Sequence, residues 1–157
     1  MATLTQTFTD LELSALRETG EKLAADGWRG VQTLCINNDD NTVDIVYTFA
    51  KDGVYENYCI YGVDHEVEVP SLQDLFLNLF PFENEAHDLF GVNMVGMVLD
   101  FQGAFYDVSV NEPMTIITPE KKALREQAAK LAKIQAAKAA KEAAAKEAAA
   151  KKEASDE

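Results

Sequence analysis

Thr42-Val43-Asp44-Ile45-Val46-Tyr47-Thr48-Phe49-Ala50, continued by Lys51-Asp52-Gly53, decides how this chain is read. Val43, Ile45, Tyr47 and Phe49 fall on one side, with Asp44 and Thr48 on the other. That period of two predicts a half-buried strand. Lys51-Asp52-Gly53 predicts a tight hairpin turn, because glycine takes positive φ without strain. Val54 to Val63 then returns as a strand. Upstream, Val31 to Asn37 carries Val31, Leu34 and Ile36 and runs into the turn cluster Asn37-Asn38-Asp39-Asp40-Asn41. Three strands on short links predict an antiparallel meander.

Helical patterns flank the meander. Asp10 to Asp26 reads as an amphipathic helix capped by Thr9 or Asp10, with Leu13, Leu16, Leu23 and Ala24 near one face and Gly27 ending it. Trp28 follows as a packing residue. Pro70-Ser71 opens a second helix, with Ser71 as cap and Leu72, Leu75, Phe76 and Leu79 as its buried stripe. Pro81 breaks that helix and can start a third. Gly91 closes the third helix as a C′ residue. Met94 to Leu99 is a candidate short strand, and Phe101 to Asp107 a loop. The expected fold class is α+β: an antiparallel sheet of three to four strands with helices packed on it, over residues 1–118. From Thr118 the composition turns to Ala, Lys and Glu, and residues 119–157 predict a long C-terminal helix. It reads either as a solvated helix or as a strut against another subunit.

Charge narrows the partners. The chain of 157 residues carries a net charge of −13. Residues 1–119 hold twenty acidic side chains against Arg17, Lys22, Arg29 and Lys51, and the remainder is basic by three. An acidic body repels nucleic-acid phosphate and suits a basic partner protein. No basic-then-apolar leader is present, and no run approaches the ~20 apolar residues that span a bilayer. The expected location is the cytoplasm, with any membrane tie made through other subunits. Cys35 and Cys59 read as small, reduced, apolar strand residues, and two cysteines alone cannot hold an iron–sulfur cluster.

The polar chemistry concentrates in Pro81-Phe82-Glu83-Asn84-Glu85-Ala86-His87-Asp88-Leu89-Phe90-Gly91-Val92. Glu83 and His87 stand at i and i+4, and Asp88 adjoins them. Three readings stay open. These groups make salt bridges or hydrogen bonds across an interface, they cap and solvate their own helix, or they hold a divalent metal. Asp88 projects roughly 100° away from His87 on a helix, and no His-Glu-x-x-His pair occurs. His65, in Asp64-His65-Glu66, reads as a loop histidine. No Gly-x-Ser-x-Gly elbow or glycine-rich phosphate loop is present.

Glu83-Asn84-Glu85-Ala86-His87-Asp88-Leu89-Phe90-Gly91-Val92 resembles the signature of the 30-kDa subunit family of NADH:quinone oxidoreductase, the NADH dehydrogenase of complex I. That signature runs Glu-Arg-Glu-x-x-Asp-Leu/Met-Phe/Tyr-Gly-Ile. Asn84 stands where it has arginine. The Gly-His-Pro segment that normally follows is replaced by Asn93 to Leu99 and Asp100-Phe101-Gln102-Gly103-Ala104-Phe105-Tyr106. This shortened form looks like the homologous subunit of membrane-bound energy-converting [NiFe]-hydrogenases of the Ech type, including carbon-monoxide-induced ones. The resemblance implies a cofactor-free accessory subunit on the cytoplasmic side of the membrane. It implies docking on the hydrogenase large subunit, with the small and membrane subunits in the same complex. The [NiFe] centre and iron–sulfur clusters would lie in those partners, and the complex would oxidise ferredoxin, reduce protons and translocate ions. It implies an interface at Glu83, Glu85, His87, Asp88, Phe90 and Gly91. The other readings are a peripheral-arm subunit of a quinone- or NADH-linked complex, a free-standing acidic adaptor, and an independent metallohydrolase.

Overall fold

The computed structural model describes residues 5–115. The long C-terminal helix expected over 119–157, and the boundary at residue 118, lie outside the described residues. The elements run β1 (Thr5–Asp10), α1 (Leu16–Ala25), β2 (Arg29–Asn37), β3 (Val43–Lys51), β4 (Val54–Val63), β5 (Val69–Pro70), α2 (Phe80–Phe90) and β6 (Met94–Val95). Four strands form one sheet in the order β1-β4-β3-β2, and β5 and β6 form a small parallel pair.

The meander forms as its alternation predicts. β2, β3 and β4 pair antiparallel. Val43, Ile45, Tyr47 and Phe49 are all buried on the inner face. Tyr47 and Phe49 stack at 6.5 Å, and Phe49 meets Phe76 at 5.0 Å. Each such aromatic contributes about 2–3 kcal/mol through the apolar surface it removes from water. Asp52 and Gly53 turn the β3–β4 hairpin with φ of 49° and 83°, the pair of positive values that matches strand twist in a two-residue loop.

Two expectations are corrected. The first helix does not begin at Asp10. Thr5–Asp10 is a strand that pairs parallel with β4, so the sheet is mixed, not purely antiparallel. Its six residues are exposed, so no buried face marks it in the sequence. The threonines at 5, 7 and 9 favour extended backbone. A 3-10 turn at Leu13–Ala15 then leads into α1.

The second correction concerns residues 71–79. Their apolar spacing is helical, but they form a turn and a 3-10 segment at Leu77–Leu79. Phe76, with φ −135° and ψ 78°, interrupts the helix. The expected stripe is nevertheless buried at Leu72, Phe76 and Leu79. Two glycines accept it. A Cβ at Gly20 of α1 would lie 2.9 Å from Leu72, and one at Gly30 of β2 would lie 3.1 Å from Phe76 and Leu79. α2 starts with Pro81 in its first turn and ends at Gly91 in the left-handed conformation, φ 67°, as the sequence predicts. The candidate strand over Met94 to Leu99 shortens to Met94–Val95.

Candidate functional site

α2 lies against β2 on the inner face of the sheet and carries the polar segment. Its polar side chains do three different jobs. Glu83 points inward and is fully buried. Its Oε1 accepts from the backbone N–H of Leu72 at 2.9 Å and from the Tyr47 hydroxyl at 3.2 Å. Its Oε2 accepts from the Ser71 hydroxyl at 2.5 Å. Three donors and no second acceptor is the pattern an ionised carboxylate requires. Burial works against that charge and raises the Glu83 carboxyl above its ordinary range, while the donors from Ser71, Leu72 and Tyr47 pull it back. Burial, then the neighbouring Glu83, pushes the Tyr47 phenol well up, so it stays a donor. The Gln73 Nε2 and Thr33 hydroxyl groups are buried beside this pair without a well-formed hydrogen bond. Both still lie close enough for their dipoles to bias the two groups, Gln73 toward Glu83 and Thr33 toward Tyr47.

Asn84, also buried, clamps the chain that follows β6. Its Nδ2 donates to the carbonyls of Phe80 at 2.7 Å and Leu99 at 2.8 Å, and its Oδ1 accepts from Phe101 N–H at 3.2 Å. Gln73 Oε1 takes Leu99 N–H at 2.9 Å. Asp88 holds the next stretch, since its Oδ2 accepts from the N–H groups of Phe105 at 2.8 Å and Tyr106 at 3.1 Å. The other Asp88 oxygen lies 2.9 Å from His87 Nδ1. Glu85 accepts from the Tyr106 hydroxyl at 3.0 Å. Burial, then this contact with Glu85, raises the Tyr106 phenol.

The six residues expected at an interface therefore separate. Glu83 sits inside the domain with partners from its own chain. Asp88 is buried under loop 98–106. Glu85, His87 and Gly91 are half-buried, and Phe90, also half-buried, packs against the hydrophobic core. Gly91 closes the helix, and its carbonyl lies 2.9 Å from His65 Nδ1. A cleft of about 380 Å³ opens there, walled by His87, Asp88, Gly91, Gln102, Gly103 and Glu112. Among the described residues no three His, Cys, Asp or Glu side chains gather as a metal would need.

Tyr47, Ser71, Gln73 and Tyr106 belong to this network and were not evident in the sequence, because their partners lie 12 to 36 positions away. Asn84 carried one signal: it departs from the arginine of the signature that the segment resembles.

No family model and no curated protein matches the chain. Solved structures do. A chain of the membrane-bound sulfane sulfur reductase, an archaeal respiratory membrane complex, superposes with a TM-score of 0.53 at 15% identity, covering 66% of this chain and 68% of that one. The trypsin-resistant fragment (1–134) of Nqo5 superposes with a TM-score of 0.52 at 18% identity, covering 60% and 83%. At these identities the likeness establishes a shared fold.

Proposed function

We propose that this chain is a cofactor-free peripheral subunit of a membrane-bound respiratory complex. One observation carries the reading: a fold shared with Nqo5 and with a chain of an archaeal respiratory membrane complex contains, at one helix, Glu83, Glu85, Asp88 and Gly91 in the order of the 30-kDa subunit signature. Glu83, Asp88 and Phe90 build the domain, and Glu85, His87 and Gly91 face a neighbouring subunit. No helix among the described residues is long and apolar enough to cross a membrane, which fits attachment through other chains. Redox chemistry in such a complex belongs to cofactors in the partners.

Within this reading, the shortened segment after Gly91 favours the branch of energy-converting [NiFe]-hydrogenases. The chain then docks on the nickel-bearing large subunit of a complex that oxidises ferredoxin, reduces protons and moves ions. The structural likeness to the sulfane sulfur reductase and to Nqo5 supports a second reading, a sulfur- or quinone-linked complex of the same architecture. Purification of the tagged chain from solubilised membranes, followed by mass spectrometry of its companions, tests both. Co-purification with a nickel-binding large subunit is the expected result. Companions of a sulfur- or quinone-reducing complex would select the second reading, and a chain recovered alone would overturn both.

A further inference from the structure

We propose that loop 98–106, with the cleft beside it at the C-terminal end of α2, is a preformed docking surface for a basic segment of a partner polypeptide. The inference rests on the subunit reading and specifies which face of the chain is used and what chemistry meets it.

The loop presents apolar side chains outward. Val98, Leu99 and Phe101 are 55%, 41% and 44% exposed. Three large apolar groups within four residues would ordinarily turn inward, and here the backbone prevents it. Leu99 is bonded through both its N–H and its carbonyl, to Gln73 and Asn84, and Phe101 N–H is held by Asn84. Gln73 and Asn84 are themselves buried, at 1% and 0% exposure. Farther on, Asp88 fixes Phe105 and Tyr106. Phe105 packs edge-on against Phe80 at 6.1 Å and against Phe101 at 5.0 Å. The fold thus uses buried amides to hold an apolar ridge in water. A ridge ordered beforehand costs a partner little conformational entropy on binding.

Charge identifies the partner's chemistry. Residues 52–115 contain twelve acidic side chains and no lysine or arginine. Asp100 and Asp107 stand on or next to the loop, and Glu85 lies under Tyr106. Gln102 and Gly103, which follow Phe101, form a wall of the 380 Å³ cleft. That cleft lies at a helix C-terminus, where the helix dipole is negative, and is lined in part by Glu112 and by Asp88, whose buried carboxylate already accepts from Phe105 and Tyr106. The acidic surroundings suit a basic segment, and the ridge suits the apolar residues beside it. Of the other exposed apolar groups, Phe8, Leu34, Ile36 and Tyr61 are spread across three strands, and Val67, Leu77, Val110 and Met114 stand apart from one another in sequence.

A photo-crosslinking amino acid placed at Val98, at Phe101 and, separately, at Leu34 tests the assignment in the full chain within isolated membranes. Val98 and Phe101 should crosslink one partner through a segment rich in Lys and Arg. Crosslinks from Leu34 alone, to an acidic segment, or to a second copy of this chain would overturn the assignment. Val98→Asp should reduce retention in the assembly by at least about tenfold, with the melting temperature of the isolated chain unchanged. Unchanged retention would count against the ridge. Phe101→Asp should act alike, and if it also lowers the melting temperature, Val98→Asp decides, since that side chain joins no ring cluster. If the unaltered chain sediments apart from every assembly, the subunit reading itself fails. If it co-sediments but Val98 finds no partner, only the docking surface does.

Discussion

Glu83 shows how one buried carboxylate ties three distant parts of the chain together. It receives donors from Ser71, Leu72 and Tyr47, so its loss strands three buried groups at once. Glu83→Ala should cost on the order of 3 kcal/mol in a urea-unfolding experiment, the cumulative effect of unsatisfied donors. Glu83→Gln keeps the shape and removes the charge, and its effect should depend on pH. Burial raises the carboxyl above its ordinary value of 4.5. A raised acid contributes stability that is fully present below that ordinary value and lost as pH rises through the folded-state value. The wild type should therefore lose ground to Glu83→Gln as pH rises above that ordinary value. Unfolding midpoints of the two proteins over that rise check it, and a constant gap would exclude a raised Glu83. The sequence marked this residue as important but not as buried. Its position three residues into a helix reads equally well as a solvated first-turn acid, and only the return of Ser71 and Tyr47 from elsewhere distinguishes the two.

At the scale of elements, what was legible followed from local periodicity. β3 and β4 alternate cleanly, the Asp52-Gly53 turn has its own chemistry, and α2 carries both its proline start and its glycine stop. Two elements escaped for opposite reasons. β1 has no buried face, so its only trace is threonine. Leu72, Leu75, Phe76 and Leu79 keep helical spacing and bury most of the stripe. Their partners, however, are the bare backbones of Gly20 and Gly30, which admit a turn as closely packed as a helix. The candidate site was half legible. The residue types of α2 were visible, while the loop they hold was not, because Asn84 reaches Leu99 and Phe101 across 15 to 17 positions. Asn84→Ala should release that loop. Amide hydrogen exchange at Phe101 should accelerate by at least about tenfold, while β3 amides stay protected. Equal acceleration in both would mean that Asn84 supports the whole domain and not the loop.

For the whole molecule, acidity is the dominant property. Residues 1–119 carry sixteen more acidic than basic side chains. Of the four cations, Arg17 is already engaged by Asp74 at 2.5 Å and Lys22 by Glu18 at 2.7 Å. Both pairs are exposed and contribute little to stability. What remains is a field of like charge that opposes compactness. Salt screens such a field with a Debye length of about 10 Å at 0.1 M. The isolated domain should therefore melt a few degrees higher in 0.5 M than in 0.01 M sodium chloride, as circular dichroism would register. A lower melting temperature in salt would mean that the ion pairs outweigh the repulsion.

The parallel pairing of β1 with β4 also sets an order of events. Thr5 finds its place beside Val54, and Asp10 beside Cys59. β1 stands some fifty positions before its partner strand, so it has no template until the β3–β4 hairpin has closed. A strand that precedes the hairpin in the chain thus joins the sheet after it.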